Sequence, residues 1–401
     1  MALLSVAEAL ARVTDGLAPL ESERVAIDQA TGRVLAENLA ARLTQPPFDA
    51  SAMDGYAVRA ADVAALPVTL SLIGASLAGA GFEGRVGRGE AVRIFTGAPV
   101  PQGADTIVIQ EDADEVLGAV TVKAAVPHRH IRPRGQDFRE GDVLLAAGAR
   151  LGPRELMLAA AMNQAELPVR RKPKVALLAT GDEVVPPGSE LGEHQIVSSV
   201  PYGLAALIER HGGEAMSLGI AKDDPESIVT LARAGSAADI LLTIGGASVG
   251  ARDLVASALR PEGLELDFWK IAMRPGKPLL YGRLGSQRVL GLPGNPVSAF
   301  VASLVFLVPM LERMLGLAKA AEHKPEGLSA ESLPANGERE HYMGAVSDWR
   351  EDGTRMVRPL PSQDSSLVAG LARADCLIVR PPHAPALPAG ARVKLVPLEP
   401  D

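Results

Sequence analysis

Asp239-Ile-Leu-Leu-Thr-Ile-Gly-Gly-Ala-Ser-Val-Gly-Ala-Arg-Asp253 is an apolar run that breaks into a glycine-rich turn and closes on a carboxylate. Upstream, Lys174-Val-Ala-Leu-Leu-Ala-Thr-Gly-Asp-Glu183 has the same form, and downstream Leu290-Gly-Leu-Pro-Gly-Asn-Pro-Val-Ser298 opens a long apolar helix. Strands that alternate with helices in this way predict a mostly parallel sheet covered on both faces. Ligands on such sheets collect at the carboxyl ends of the strands, so three glycine-bearing loops there describe a crevice for an anion, with acids suited to a metal.

Outward from these loops the alternation continues. Strands are expected at 174–179, 215–220, 239–244, 266–271 and 288–292, with helices at 200–211, 225–234, 251–259 and 296–315. Before this α/β region, Val68–Ile73, Ala91–Phe95, Thr106–Gln110 and Ala119–Lys123 are short β-type segments separated by Gly or Pro turns. They predict a compact β-rich unit over 46–139. Helical periodicity at Ser5–Gly16 and Arg154–Asn163 flanks it, so residues 1–45 and 140–172 are expected to join as one elongated helical and mixed unit around the insertion. Residues 173–320 form the α/β unit, and the proline-rich remainder, 321–401, reads as a small β-barrel with strands at 354–359, 376–380 and 392–398.

At 401 residues the chain is long enough for about two to four cores of ordinary size. A net charge of −8 excludes the basic surface that nucleic acid requires, so an anionic ligand must be held by local groups. The single cysteine, Cys376, excludes a disulfide framework and a cysteine-rich zinc site and fits a reducing cytoplasm. Ser5-Val-Ala-Glu8 reads as a capping box, with no basic segment of a signal peptide before it. The apolar stretch Val297–Leu311 is shorter than the roughly 20 residues a membrane span needs, and a buried helix is expected there.

Thr180-Gly181-Asp182-Glu183 puts two acids where backbone can approach a ligand closely, and hard oxygen donors of this kind suit magnesium. Each acid alone could equally be a solvated helix-start residue. Asn295 is placed to cap the helix that Pro296 begins, leaving helix-start N–H groups for a phosphate or carboxylate. Locally, an ordinary strand-to-helix turn would read the same. Gly245–Arg252 has P-loop spacing but offers Ala251-Arg252 where Lys-Ser/Thr is needed, which rejects a Walker site; Gly79-Ala-Gly-Phe-Glu-Gly84 lies among β segments and reads as a turn. Lys270, Arg274 and Lys277 cluster on one turn and can supply positive charge. His128 and His130 read as surface residues.

Seven motifs occur in one order along nearly the whole chain. They are Ser51-Ala-Met-Asp-Gly-Tyr-Ala-Val-Arg59, Arg93-Ile-Phe-Thr-Gly-Ala98, Arg134-Gly-Gln-Asp137, Thr180-Gly-Asp-Glu183, Gly245-Gly-Ala-Ser-Val-Gly250 with Asp253, Arg274-Pro-Gly-Lys-Pro278 and Pro293-Gly-Asn-Pro296. The series resembles the molybdopterin molybdenumtransferase family, which includes bacterial MoeA and the gephyrin E domain. That resemblance implies insertion of molybdate into adenylylated molybdopterin with release of AMP, four subdomains, and a homodimer whose sites lie between the α/β unit of one protomer and the inserted unit of the other. It places Asp54, Thr96 and Asp137 on the partner-supplied wall and Glu183, Asp224 and Asp253 on the α/β side. Lys270 and Arg274 become oxyanion binders, and Glu183 with Asp253 the magnesium ligands. Thr180, Gly181, Asp182, Gly245, Gly246, Ser248, Gly250, Lys277, Gly294 and Asn295 become ligand-binding positions, Pro293 and Pro296 shape their loop, and Arg339 and Ser365 match less closely.

Arg274 stands where some members of that family have lysine; it keeps the charge and adds a planar fork suited to tetrahedral oxyanions. The implied partners are the pterin, molybdate, molybdopterin adenylyltransferase and cofactor-accepting enzymes, with no nucleic acid and no membrane. Two other readings remain open at this point. Adenylyltransferases resemble only the α/β third, and a non-catalytic pterin-binding scaffold would use the same loops without turnover.

Overall fold

The computed structural model describes residues 3–246, 254–318 and 325–398. Ser5 caps the helix Val6–Thr14 as expected: its hydroxyl accepts from the Glu8 N–H at 3.2 Å while Glu8 accepts from the Ser5 N–H at 3.1 Å. Val6, Ala9 and Val13, spaced three and four apart, bury one stripe of this helix against the long helix near Met310, Leu311 and Met314. The first helix of the chain is therefore seated on the α/β core.

Strand Ser22–Ala26 pairs antiparallel with Glu166–Arg170, and Leu39–Ala40 pairs with Val143–Leu145. Leu35 and Leu39 from before the insertion share one apolar cluster with Leu151, Ala159, Met162, Leu167 and Val169 from after it. Between these flanks lies a six-stranded sheet in the order Thr106–Ile109, Gly55–Val58, Glu90–Ile94, Val68–Ser76, Ala119–Val122, Ala113–Val116. Tyr56 and Val58 face one apolar cluster and Ala57 the other, so the period of two buries both faces of its central strand. Gly79 sits in the turn closed by Leu77 and Ala80, in agreement with the sequence reading.

The α/β sheet runs Glu214–Ala221, Lys174–Thr180, Ile240–Ile244, Gln287–Leu292, Pro278–Leu284, Leu264–Lys270. The first four strands are parallel, Pro278–Leu284 runs against them, and Leu264–Lys270 pairs antiparallel with Pro278–Leu284. Pro278–Leu284 was not expected as a strand; it begins with proline and is interrupted by Gly282 and Arg283, which hide its alternation. Val175, Leu177, Ile240, Leu242 and Leu290 pack under the helices Val200–Arg210 and Pro296–Leu315, while Ala176, Leu178, Leu241 and Val289 pack under Pro225–Ala234 and Leu254–Leu259. Burial on both faces is why these strands read as continuous apolar runs.

Pro296–Leu315 is one helical run of 20 residues, longer than the stretch judged too short to span a bilayer, yet about two thirds of it is buried in the protein. It widens into a π turn at Ser303–Leu307, where the Val308 N–H reaches back to the Ser303 carbonyl. Proline at 309 has no N–H to give and crowds the preceding turn, and the widened turn accommodates both defects.

Beyond it, Glu340–Trp349, Arg355–Pro359, Glu326–Ser329, Arg392–Pro397 and Cys376–Arg380 pair in that order, and the first pairs with the last, closing a five-stranded barrel. Two of these strands, Glu326–Ser329 and Glu340–Trp349, were not expected. Met273–Arg274, from the α/β region, adds to the barrel as a parallel strand beside Glu340–His341.

Candidate active site

Strands Lys174–Thr180, Ile240–Ile244 and Gln287–Leu292 are parallel neighbours, so their carboxyl-terminal loops must emerge side by side. They do. Thr180, Gly181, Glu183, Gly245, Gly246, Pro293, Gly294, Asn295 and Pro296 line one cleft of about 890 Å³, closed on the barrel side by Ser366 and Val368. Gly245 lies so close to the neighbouring strand that a Cβ there would sit 2.9 Å from the Thr180 carbonyl oxygen, and its φ of +88° is one that side-chain-bearing residues rarely adopt. Tight apposition of backbone is what brings main-chain groups to the cleft floor.

Thr180 is 5% exposed, and its hydroxyl has no hydrogen-bond partner among the described residues. It lies at the base of the cleft beside Gly245 and Gly246. Buried hydroxyls are ordinarily satisfied, so this one marks a place where a ligand oxygen or water belongs.

Several expected residues take other positions. Asp224 caps the helix Pro225–Ala234, its carboxylate accepting from the Ser227 N–H at 2.8 Å. Its neighbour Asp223 lines the cleft instead, and burial, followed by the Asp182 and Glu183 carboxylates, raises its pKa above the usual carboxylate value. The Asp-Pro-x-Ser run from 224 to 227 carried a capping signal that sequence reading passed over. Asp182 turns away into an adjoining apolar pocket and accepts from the Asp223 N–H at 3.2 Å. Asn295 does not cap with its side chain: its amide donates to the Ser365 hydroxyl at 3.0 Å, and the Ser365 carbonyl takes the Val297 N–H. That pairing brings Ser365 to the helix start and uses one of the N–H groups expected to be free for an anion.

The basic residues are carried by the 270–277 turn and the barrel edge paired with it. Lys270 is the register partner of Pro278, which lines the cleft, and its ammonium rests 4.7 Å from the Trp269 ring. Lys277 is exposed on the same turn. Arg274 and Arg339 meet where the short strand Met273–Arg274 joins the barrel; burial, then Arg274, Arg339 and Arg380, drive His341 down to about 4, so it is neutral at physiological pH. Guanidinium groups gathered beside a neutral imidazole are suited to hold an oxyanion.

Asp54, Thr96 and Asp137 sit apart from the cleft, on the inserted unit and its base. Asp54 Oδ1 accepts from the Thr96 N–H at 2.7 Å and the Thr96 hydroxyl at 2.8 Å, and these bonds lower its pKa. Asp137 follows the turn at 133–136 and donates its N–H to the Gln45 carbonyl. Ser248, Gly250 and Asp253 lie outside the described residues. His128 is exposed, as read from sequence.

No group of three or more acidic, His or Cys ligands stands preformed among the described residues. The donors present nevertheless fit magnesium, which uses one or two carboxylates and completes its shell with water and substrate oxygens: Glu183 and Asp223 face the cleft, and the Thr180 hydroxyl is unpaired.

An α/β sheet with its cleft at the parallel strand ends stands here between a sheet inserted upstream and a closed barrel downstream. Family models match in that order: the MoeA N-terminal region (domain I and II) over residues 4–163, the "Probable molybdopterin binding domain" over 176–313 and the MoeA C-terminal region (domain IV) over 326–398. The chain is 35% identical to the molybdopterin molybdenumtransferase of Haemophilus influenzae over 94% of both chains, and 41% identical to that of Synechococcus elongatus over 77% of this chain and 82% of the other. A crystal structure of the molybdopterin biosynthesis MoeA protein from Pyrococcus horikoshii superposes with a TM-score of 0.84 at 32% identity, covering all of both chains. The chain belongs to the molybdopterin molybdenumtransferase family.

Proposed function

We propose that this protein inserts molybdate into adenylylated molybdopterin, releasing AMP and leaving the molybdenum cofactor. The observation that carries this reading is the convergence of the 180–183, 245–246 and 293–296 loops on one cleft, with Glu183 and Asp223 among its lining residues. Molybdate and the phosphates are all anions, so bringing them together requires cations positioned before binding. Lys270, Arg274, Lys277 and Arg339 supply that charge, and Ser365 and Asn295 hold the loop at the helix start.

Glu183 and Asp223, with Asp253 from outside the described residues, are the groups that would hold magnesium. When bound, that ion supplies charge neutralisation at the phosphoanhydride oxygens. Thr180 orients a substrate oxygen through its unpaired hydroxyl. Gly245 and Gly246 let the ligand approach main chain. Cleavage then proceeds by positioning and charge stabilisation, without a protein nucleophile.

The same reading divides the chain into four units, 1–45 with 140–172, 46–139, 173–320 and 321–401. It makes the protein a cytoplasmic homodimer in which Asp54, Thr96 and Asp137 of one protomer face the cleft of its partner. It also places the protein after an adenylyltransferase and before cofactor-accepting enzymes. Purified protein incubated with adenylylated molybdopterin, magnesium and molybdate should release AMP and yield active cofactor. Glu183→Ala should abolish AMP release while leaving the circular dichroism spectrum unchanged; undiminished turnover in that variant would overturn the assignment.

A further inference from the structure

Three strands of the inserted sheet bring chemistry to one edge. Gly55–Val58 runs antiparallel to both Glu90–Ile94 and Thr106–Ile109, with Gly55 opposite Ile94 and Ile109. Its beginning therefore lies beside the other two ends, and Asp54, Arg93 and Gln110 become neighbours. The Gln110 N–H donates to the Asp54 carbonyl at 3.1 Å.

Each of the three is fixed. Thr96 saturates Asp54 Oδ1, while no donor reaches Oδ2 among the described residues. The Arg93 guanidinium lies 4.8 Å from the Tyr56 ring centre and 5.3 Å from that of Phe95, and donates to Gln110 Oε1 at 2.9 Å. Two rings and an amide hold a flat cation in one plane, so little ordering remains to be done when a ligand arrives.

The pairing of charges selects the ligand. A carboxylate with an open oxygen repels phosphate and molybdate, and the neighbouring guanidinium repels a metal ion. A neutral, planar heterocycle whose edge carries N–H donors beside a carbonyl satisfies both, because the donors meet the carboxylate and the carbonyl meets the guanidinium. We propose that Asp54, Arg93 and Gln110 form a subsite for the amino-pyrimidinone edge of the pterin, with Arg93 and Gln110 as specificity-determining residues. This rests on the transferase reading for the identity of the substrate. Adenine presents a related edge, an amine beside a ring nitrogen, so the adenylyl group is the competing occupant.

The test titrates the full-length protein with free pterin, followed by fluorescence quenching, and separately with AMP. Loss of a hydrogen bond to a charged group should weaken pterin binding about tenfold or more in Arg93→Ala and leave AMP binding unchanged. Arg93→Lys should recover little of it, because lysine has no planar fork. Gln110→Ala, at an exposed position, should weaken pterin binding less and serves as the variant least able to perturb folding. In turnover assays KM for adenylylated molybdopterin should rise more than kcat falls.

Wild type that does not bind free pterin, or folded Arg93→Ala that binds it as wild type does, overturns the subsite. Loss of AMP affinity in place of pterin affinity overturns it too, in favour of adenine. Pterin binding that depends on Arg93 in a wild-type protein that releases no AMP supports the subsite and sinks the transferase reading alone.

Discussion

Asp223 and Asp224 are consecutive carboxylates with opposite assignments, one lining the cleft and one satisfying a helix N-terminus. Asp224→Ala should cost about 1 kcal/mol of stability through the lost cap, seen as a lower urea midpoint. Asp223→Asn should leave that midpoint near wild type and reduce AMP release. The resemblance had singled out Asp224; three-dimensional placement shows that Asp224 caps a helix and that its neighbour Asp223 lines the cleft. At His341 the sign of a pH effect is fixed by geometry. Its pKa falls from 6.5 to about 4 on folding, chiefly through burial, so the unfolded chain takes up a proton that the folded chain refuses. Stability should be fully present above about 6.5 and decline as pH falls toward about 4, and urea unfolding of His341→Gln should show a flatter profile across that window.

At the scale of elements, the parallel strands were legible because burial on both faces writes an uninterrupted apolar run, and helix starts were legible at Ser5 and Pro296, whereas the cap at Asp224 was not read. Strands Pro278–Leu284, Glu326–Ser329 and Glu340–Trp349 were not, because glycine, proline and half-exposed positions interrupt their pattern. The three loops of the cleft could be named from sequence, whereas the partners of each side chain depended on contacts far apart in the chain, such as Asn295 with Ser365. Gly55 gives a sharp test of the inserted sheet. A Cβ there would lie 1.9 Å from the Val108 carbonyl oxygen, a contact with main chain that no rotamer relieves. Gly55→Ala should destabilise the protein by about 1–3 kcal/mol or more, measured by urea unfolding, and should displace Asp54 with it.

For the molecule as a whole, the separation of Asp54 and Thr96 from the cleft makes a definite demand on assembly. If the partner protomer supplies them, Asp54→Ala and Glu183→Ala are each inactive alone but complementary when mixed. Random exchange of subunits then gives hybrids carrying one intact site, restoring about a quarter of wild-type sites. AMP release from the mixed and re-equilibrated variants measures this directly. Failure of the mixture to recover activity, with subunit exchange demonstrated, would show that each chain builds its own site.

The short strand Met273–Arg274 hydrogen-bonds to the barrel rather than to the sheet from which it comes. An oxyanion gripped by Arg274 and Arg339 would thus clamp the α/β region to the barrel across their seam, and thermodynamic reciprocity requires that whatever strengthens the seam also tightens the grip. Molybdate added to the protein alone should delay thermal unfolding of the barrel, and loosening the barrel by mutation far from any ligand should weaken the hold on molybdate in return.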